Sequence, residues 1–268
     1  MRTEVSALIS VHPDAVIGEG VVIEPFSTIH ENVVIGDNTW IGSNVTIMPG
    51  ARIGSNCKIF PGAVISAVPQ DLKFFGEITT VEIGDHTTIR EYVTINRGTI
   101  DKTKTVVGKH CLIMAYVHIA HDCEVGDHCI IANAVNMAGH VSVGNSTVIG
   151  GMSAVHQFVK IGEHVMISGG SLIRKDVPPF IKAGREPLSY VGINTTGLKR
   201  RGFQSFEIDL IQAIYRIIFV KFNNTSKALQ YVIENFDDSA YKTIIVDFIK
   251  SSKRGLLKGY GRESAKSL

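Results

Sequence analysis

A chain of 268 residues, 44% of them hydrophobic, has room for one large domain, or one large and one small, around a sizeable core. A net charge of +2 gives neither the basic excess of a nucleic-acid binder nor a strongly acidic surface. No apolar run approaches the roughly 20 residues of a membrane span. Met1-Arg2-Thr3-Glu4 also lacks the apolar core of a signal peptide, so a cytoplasmic protein without stable membrane insertion or nucleic-acid partner is expected.

From Val11 onward, every sixth residue is aliphatic and β-branched: Val11, Ile17, Ile23, Ile29, Ile35, Ile41, Ile47, Ile53, Ile59 and Ile65. Ile83, Ile89 and Ile95 resume the series, which then runs from Val107 through Ile119, Met137 and Val155 to Ile173. A Gly often follows, as in Ile35-Gly36-Asp37-Asn38, and four positions on comes a small or β-branched residue such as Ala51, Cys57, Ala63, Val117 or Val135. A helix cannot keep a strict six-residue stripe on one face, because six is not near a multiple of its 3.6-residue period. Short strands joined by tight Gly, Asn and Asp turns can keep it. The pattern predicts a parallel β-helix, each coil hydrogen-bonded to the next at a rise of roughly 4.8 Å. Cys57, Cys111, Cys123 and Cys129 all fall at the inward small-residue position and form no CxxC pair, which reads them as core residues.

Two stretches break the stripe, 68–80 and 99–106, and both read as loops thrown out of the scaffold. The repeats stop near Val177-Pro178-Pro179-Phe180, and after about Gly202 the spacing becomes helical. Phe206, Ile208, Ile211, Ile214, Tyr215 and Ile218, then Leu229, Ile233 and Phe236, then Tyr241, Ile244, Ile245, Phe248 and Ile249 predict about three helices over 205–252. Asn223-Asn224-Thr225-Ser226 and Asp237-Asp238-Ser239 offer their caps. The expected organisation is a repeat domain over 1–190 and a helical domain over 191–268.

The repeats resemble the hexapeptide-repeat acyltransferases. That resemblance implies a left-handed, three-faced prism with 18 residues per coil, and a homotrimer. On such a coil, His121 stacks under Gly139 and Gln157, Asp122 under His140 and Phe158, and Ala138 under His156. Val117-His118-Ile119-Ala120-His121-Asp122-Cys123 thus becomes the centre of a proton-active cluster, and an imidazole beside a carboxylate is the usual form of a general base near neutral pH. His12, His30, His86, His110, His128 and His164 read as solvated turn residues.

The match narrows over His118-Ile119-Ala120-His121-Asp122-Cys123, Ala138-Gly139-His140-Val141 and Gly150-Gly151-Met152-Ser153-Ala154-Val155-His156-Gln157-Phe158. Together with Gln70-Asp71-Leu72-Lys73, Ile89-Arg90-Glu91, Asn96-Arg97-Gly98-Thr99, Asn194 and Gly197-Leu198-Lys199-Arg200-Arg201-Gly202-Phe203, these segments resemble the UDP-N-acetylglucosamine 3-O-acyltransferase family from end to end. The resemblance implies transfer of an (R)-3-hydroxyacyl chain from acyl carrier protein to the sugar 3-hydroxyl, the first step of lipid A biosynthesis. The donor would be the carrier's 4'-phosphopantetheine thioester, with no other cofactor and no metal. His121 would be the general base, Asp122 its orienting carboxylate, and the Gly139 N–H an oxyanion donor.

The same resemblance implies that Asp71, Lys73, His118, His140 and Gln157 bind the sugar nucleotide or acyl group, while His156, Asn194, Arg200 and Arg201 hold the nucleotide and its diphosphate. Gly169 stands at the position that limits acyl length in relatives, and a glycine there leaves room for a long chain. The basic residues Lys199, Arg200 and Arg201, with Lys102 and Lys104, are alternatively placed to meet an acidic carrier protein. The family often has an acidic residue where Thr196 stands, and Gly184-Arg185-Glu186-Pro187-Leu188-Ser189-Tyr190 departs from its commoner form. Two other chemistries share the fold: acetyl-CoA-dependent sugar O-acetylation, and zinc-dependent carbonic anhydrase of the γ type with His118, His121 and His140 as ligands.

Overall fold

The computed structural model describes residues 8–222 and 224–259. Most strands of the repeat region are two residues long, and they assemble into three parallel sheets, the faces of a prism. The first sheet runs from Ser10–Val11 to Leu172–Ile173, the second from Val16–Ile17 to Lys160–Ile161, and the third begins at Val22–Ile23. Along each sheet a residue pairs with the one 18 positions on, as Ser10 with Thr28, Val16 with Val34 and Val22 with Trp40. Backbone bonds tie successive coils together, for example from His118 N to Val135 O at 3.0 Å and from Ala120 N to Met137 O at 3.1 Å.

The six-residue stripe lines the inside of the prism. Ile29, Ile35, Ile41, Ile47, Ile59 and Ile65 are fully buried, each contributing roughly 1.5–3 kcal/mol relative to exposure. The small position points inward too, and all four cysteines are buried and free. Burial pushes the Cys123 thiol up to about 12, which suits a core hydrophobe and not a nucleophile or ligand. At each prism edge one residue per turn has positive φ, and Asn, His and Asp recur there (Asn38, Asn56, His110, Asp122, His128), because their short polar side chains tolerate that region best. Where aromatics take the position they stack along the edge, as Tyr92 does on Tyr116 with centroids 5.3 Å apart.

The coil step lengthens twice. Val64 pairs with Thr94, 30 residues on, and Thr94 with His118, 24 residues on. The excursions therefore insert 12 and 6 residues, both multiples of the repeat, and the aliphatic series resumes in phase. The first excursion occupies 68–79, close to the expected loop. The second is 97–103, not 99–106: Lys104–Val107 is a strand paired with Thr80–Ile83. Its Lys-Thr-Val-Val sequence alternates, with Thr105 and Val107 buried and Lys104 and Val106 facing outward, so a polar stretch satisfies the strand period.

Beyond the repeats, Ile181–Gly184 extends the third sheet in parallel and turns back antiparallel through Ser189–Ile193. A short helix, α1 (Thr195–Arg200), follows; its Gly197 and paired threonines gave no helical signal. The three expected helices are α2 (Ser205–Arg216), α3 (Thr225–Asn235) and α4 (Ala240–Ser251). Asn224 caps α3 by accepting from Lys227 N at 3.0 Å, and Ser239 caps α4 by accepting from Lys242 N at 3.1 Å; Asn223 lies outside the described residues. Tyr215 of α2 donates to Pro179 O at 2.7 Å, so the helices pack on the end of the prism. Among the described residues, no helix is long and apolar enough to cross a membrane.

His164 departs from its expected solvated place. Its ring lies 5.7 Å from that of Phe180 and 5.0 Å from that of Phe203, and its Nδ1 is buried without a hydrogen-bond partner. Burial, aided by the Arg201 charge, pushes this imidazole down to about 4 from 6.5. The unfolded chain therefore binds the proton more tightly between those values. His164 contributes stability that is fully present above about 6.5 and is lost as the pH falls toward 4. His164→Asn, which suits the positive φ, is expected to flatten the melting-temperature profile between pH 4 and 6.5. Parallel profiles for the two proteins would remove His164 from the acid response.

Candidate active site

Three edges join the faces. The edge between the first and second sheets carries Ala120–Cys123, then Ala138–Val141, then His156–Val159 in successive coils. His121, Gly139 and Gln157 thus stack on one another, as do Asp122, His140 and Phe158. Positive φ at Asp122 and His140 turns both residues at this edge.

An edge residue is ordinarily wet, yet Asp122 is fully buried. The second excursion folds over it. Thr99 N and Lys102 N donate to Oδ1 at 3.0 and 3.2 Å, and the Thr99 hydroxyl donates to Oδ2 at 2.6 Å. The Asp122 N–H is itself held by Thr105 Oγ1 at 2.9 Å. Burial alone would push the carboxyl up, but the donors from Thr99, His121 and Lys102 outweigh it and hold Asp122 below the usual carboxylate range. The carboxylate is a fixed negative charge at neutral pH, and its Oδ2 lies 2.8 Å from His121 Nδ1. That bond makes Nδ1 the protonated nitrogen of a neutral ring and leaves the Nε2 lone pair facing away from Asp122.

The rest of the ring is confined. A Cβ built on Gly139 would stand 2.6 Å from His121 Cε1 and 2.7 Å from Nε2, so only glycine lets the imidazole lie in this position. Among the described residues the Gly139 N–H donates to no protein acceptor. Asp71, from the first excursion, brings Oδ2 to 3.8 Å from His121 Nε2. His140 meets His121 edge to face at 5.0 Å and stacks on Phe158 at 4.5 Å. Its Nδ1 is 3.1 Å from Asp101 Oδ2, near enough for Coulomb attraction but misaligned for a hydrogen bond. Burial pushes the His140 imidazole below its ordinary range, the His121 ring opposing protonation and the Asp122 charge favouring it. His118 faces outward from the first sheet, with Nδ1 2.8 Å from Thr94 Oγ1, and burial with the His121 neighbour lowers it too.

His118, His121, Asp122, Gly139, His140 and Asp71 therefore come together, and His156 and Gln157 follow on the same edge, exposed. Lys73 is exposed on the first excursion. The remaining sequence candidates do not join them within one chain. Asn194 bonds to His164 O at 2.9 Å, on the edge between the second and third sheets, and its Oδ1 accepts from Gly197 N at 3.3 Å as the cap of α1, which carries the exposed Arg200; Arg201 follows it as the C-cap. Gly169 lies on the third edge, over Gly151.

Sequence reasoning passed over Thr99, Thr105, Asp101 and Thr94 as individuals, although Thr99 stood inside a quoted motif. It also passed over Asn96 and Arg97 as supports of the first excursion. Asn96 Nδ2 donates to Val68 O at 3.1 Å, and the Arg97 guanidinium lies 5.3 Å from the ring centroid of Phe74, whose N–H donates to Asp71 O at 3.0 Å. His121, Asp122 and His140 place donor atoms within 4.8 Å of one another, a spacing open to a metal ion. Against that use, Asp122 Oδ2 already accepts from the Thr99 hydroxyl and the His121 ring, and a cation would displace both bonds.

Comparison with known proteins places this geometry. Residues 32–67 and 104–139 of the prism match the bacterial transferase hexapeptide family. Residues 176–257 match the second domain of the UDP-N-acetylglucosamine O-acyltransferases. The acyl-[acyl-carrier-protein]–UDP-N-acetylglucosamine O-acyltransferase of Sulfurihydrogenibium sp. is 57% identical over 194 residues, 72% of each chain. That of Aquifex aeolicus is 59% identical over 196 residues, 73% of this chain and 75% of its own. The solved UDP-N-acetylglucosamine acyltransferase of Bacteroides fragilis superposes with a TM-score of 0.93 at 50% identity, over 95% of this chain and all of its own. This chain belongs to the UDP-N-acetylglucosamine O-acyltransferase family.

Proposed function

We propose that this protein transfers an (R)-3-hydroxyacyl chain from acyl carrier protein to the 3-hydroxyl of UDP-N-acetylglucosamine, the first step of lipid A biosynthesis. The observation that carries the chemistry is the His121–Asp122 pair, 2.8 Å apart, with the ring seated against Gly139. A sugar hydroxyl is far too weak an acid to ionise near neutrality, so a base must take its proton in the transition state. His121 Nε2 takes that proton as the 3-oxygen attacks the thioester carbon. Asp122 orients the ring and offsets the imidazolium charge. The Gly139 N–H donates to the oxyanion of the tetrahedral intermediate. The intermediate collapses with cleavage of the C–S bond, and the imidazolium returns its proton to the departing pantetheine thiolate. No step calls for a metal or a further cofactor.

Asp71, Lys73, His118, His140 and Gln157 are assigned to the sugar and acyl groups, and His156, Asn194, Arg200 and Arg201 to the nucleotide. Because Asn194, Arg200 and Gly169 sit on other edges than His121, the complete site needs a neighbouring subunit. A homotrimer of left-handed prisms would supply one at each cleft. Leu72, Phe75 and Ile78, each at least 90% exposed on the excursion that carries Asp71, support a covering subunit. We further propose two units, a repeat domain over 1–190 and a helical domain over 191–268, in a protein acting in the cytoplasm.

Purified protein supplied with UDP-N-acetylglucosamine and a ladder of 3-hydroxyacyl carrier proteins is expected to favour one long chain. Gly169→Met is expected to shift that optimum to shorter donors. Inert protein with every carrier-bound donor, but transfer from acetyl-CoA, would replace this reading by O-acetylation.

A further inference from the structure

A cavity of about 460 Å³ opens beside His140 and Phe158 on the second-sheet side of the catalytic edge, and the mechanism above makes no use of it. Three parts of the chain build it. The second sheet contributes Glu124, Ser142 and Lys160, the second excursion Asp101 and Lys102, and the segment after α4 Lys253 and Arg254. Four cations against two carboxylates leave a surplus of two positive charges.

Two of the four are already engaged: Lys102 pairs with Glu124 at 3.1 Å and Lys160 donates to Ser251 O at 3.4 Å. Among the described residues, Lys253 and Arg254 pair with no carboxylate, although Arg254 N is fixed by Asp176 Oδ2 at 3.4 Å. Asp176 is fully buried and also accepts from Ser252 Oγ and Lys160 N, at 2.7 and 2.8 Å. The two cations without carboxylate partners therefore stand beside an anchored backbone and line the same cavity as His140, whose ring meets that of His121 at 5.0 Å. A guanidinium beside an ammonium on a fixed frame is apt for a phosphate group.

We infer that this cavity is a phosphate subsite of the acyltransferase, holding the phosphate ester of a substrate whose other end lies at His121. The inference rests on the proposed reaction, in which both substrates carry phosphate: a phosphodiester on the pantetheine arm and a diphosphate on the sugar nucleotide. Arg200 and Arg201 lie at another edge of the same chain, so the two anions have separate cationic sites available.

The test compares wild type with Lys253→Gln/Arg254→Gln. Four substrates are used: 3-hydroxyacyl carrier protein, 3-hydroxyacyl-4'-phosphopantetheine, 3-hydroxyacyl-pantetheine and UDP-N-acetylglucosamine. A rise in KM of about tenfold for both phosphate-bearing donors, with the phosphate-free donor and the nucleotide unaffected, would assign the site to the pantetheine phosphodiester. A rise confined to UDP-N-acetylglucosamine would assign it to the nucleotide diphosphate. A rise confined to intact carrier protein, or no rise at all, overturns the phosphate subsite. Calorimetric titration of wild type with 4'-phosphopantetheine, pantetheine, UDP and uridine provides a second measurement if the variant misfolds or wild type transfers nothing. Equal affinity for 4'-phosphopantetheine and pantetheine, with any preference for UDP over uridine abolished by Arg200→Gln/Arg201→Gln, would then overturn the subsite, whereas an inert wild type that still prefers 4'-phosphopantetheine would overturn the proposed reaction alone.

Discussion

His121→Ala lowers kcat by roughly 10²- to 10⁴-fold, the usual contribution of a general base, while UDP-N-acetylglucosamine binding changes far less. The split follows from geometry. His121 is 13% exposed and bonded to Asp122, while Asp71 and His118 around it remain available to the substrate. Asp122 keeps three of its four donors when the ring is removed, so the fold should survive. Asp122→Asn should reduce kcat by a comparable roughly 10²- to 10⁴-fold through the ring it orients. It should also destabilise the protein, because an amide nitrogen would face donors from Thr99 or His121. Steady-state kinetics alongside thermal denaturation separate the two effects. A His121→Ala protein with kcat within threefold of wild type would remove the base from this ring and leave His118 or His140 as the next candidates.

The parts of the chain that could be read without coordinates are those whose environment is set by near neighbours. The six-residue stripe placed Ile29 to Ile173 inside because each coil repeats the same contacts, and Asn224 and Ser239 announced their helices by local capping chemistry. His121 and Asp122 were visible because they adjoin, and Gly139 because one uninterrupted coil lies over them. Thr99, Thr105 and Thr94 were not, because the excursions break the 18-residue step: Thr94 lies beside His118 at a step of 24. How 97–103 folds over Asp122 is a tertiary fact, and it turns a wet corner into a buried carboxylate. His164 was misjudged for the same reason, since Phe203 from beyond α1 covers a corner the repeat alone leaves open. The place of Asn194 and Arg200 on another edge likewise follows from where α1 docks, which no six-residue periodicity encodes, whereas the edge of Gly169 is set by the repeat itself.

Gly139→Ala provides the sharper test of how the base is held. Gly139 does not lie among the positive-φ glycines, so its backbone accepts an alanine without conformational strain. The new methyl would meet the His121 ring at 2.6 Å, closer than any tolerated contact, and the nearest atoms all belong to that side chain. The ring must therefore swing, stretching its bond to Asp122 or withdrawing Nε2 from the sugar hydroxyl. A displacement of about 1 Å at a reacting atom costs on the order of 10² in rate, so kcat should fall at least that far with melting almost unchanged. The Gly139 N–H survives in alanine, which separates loss of ring position from loss of the oxyanion donor. Combined with His121→Ala, the substitution should add little, because the group it displaces is already gone. Two independent, multiplicative losses would mean that the methyl does its damage elsewhere than at the His121 ring and that the ring position seen here is not the catalytic one.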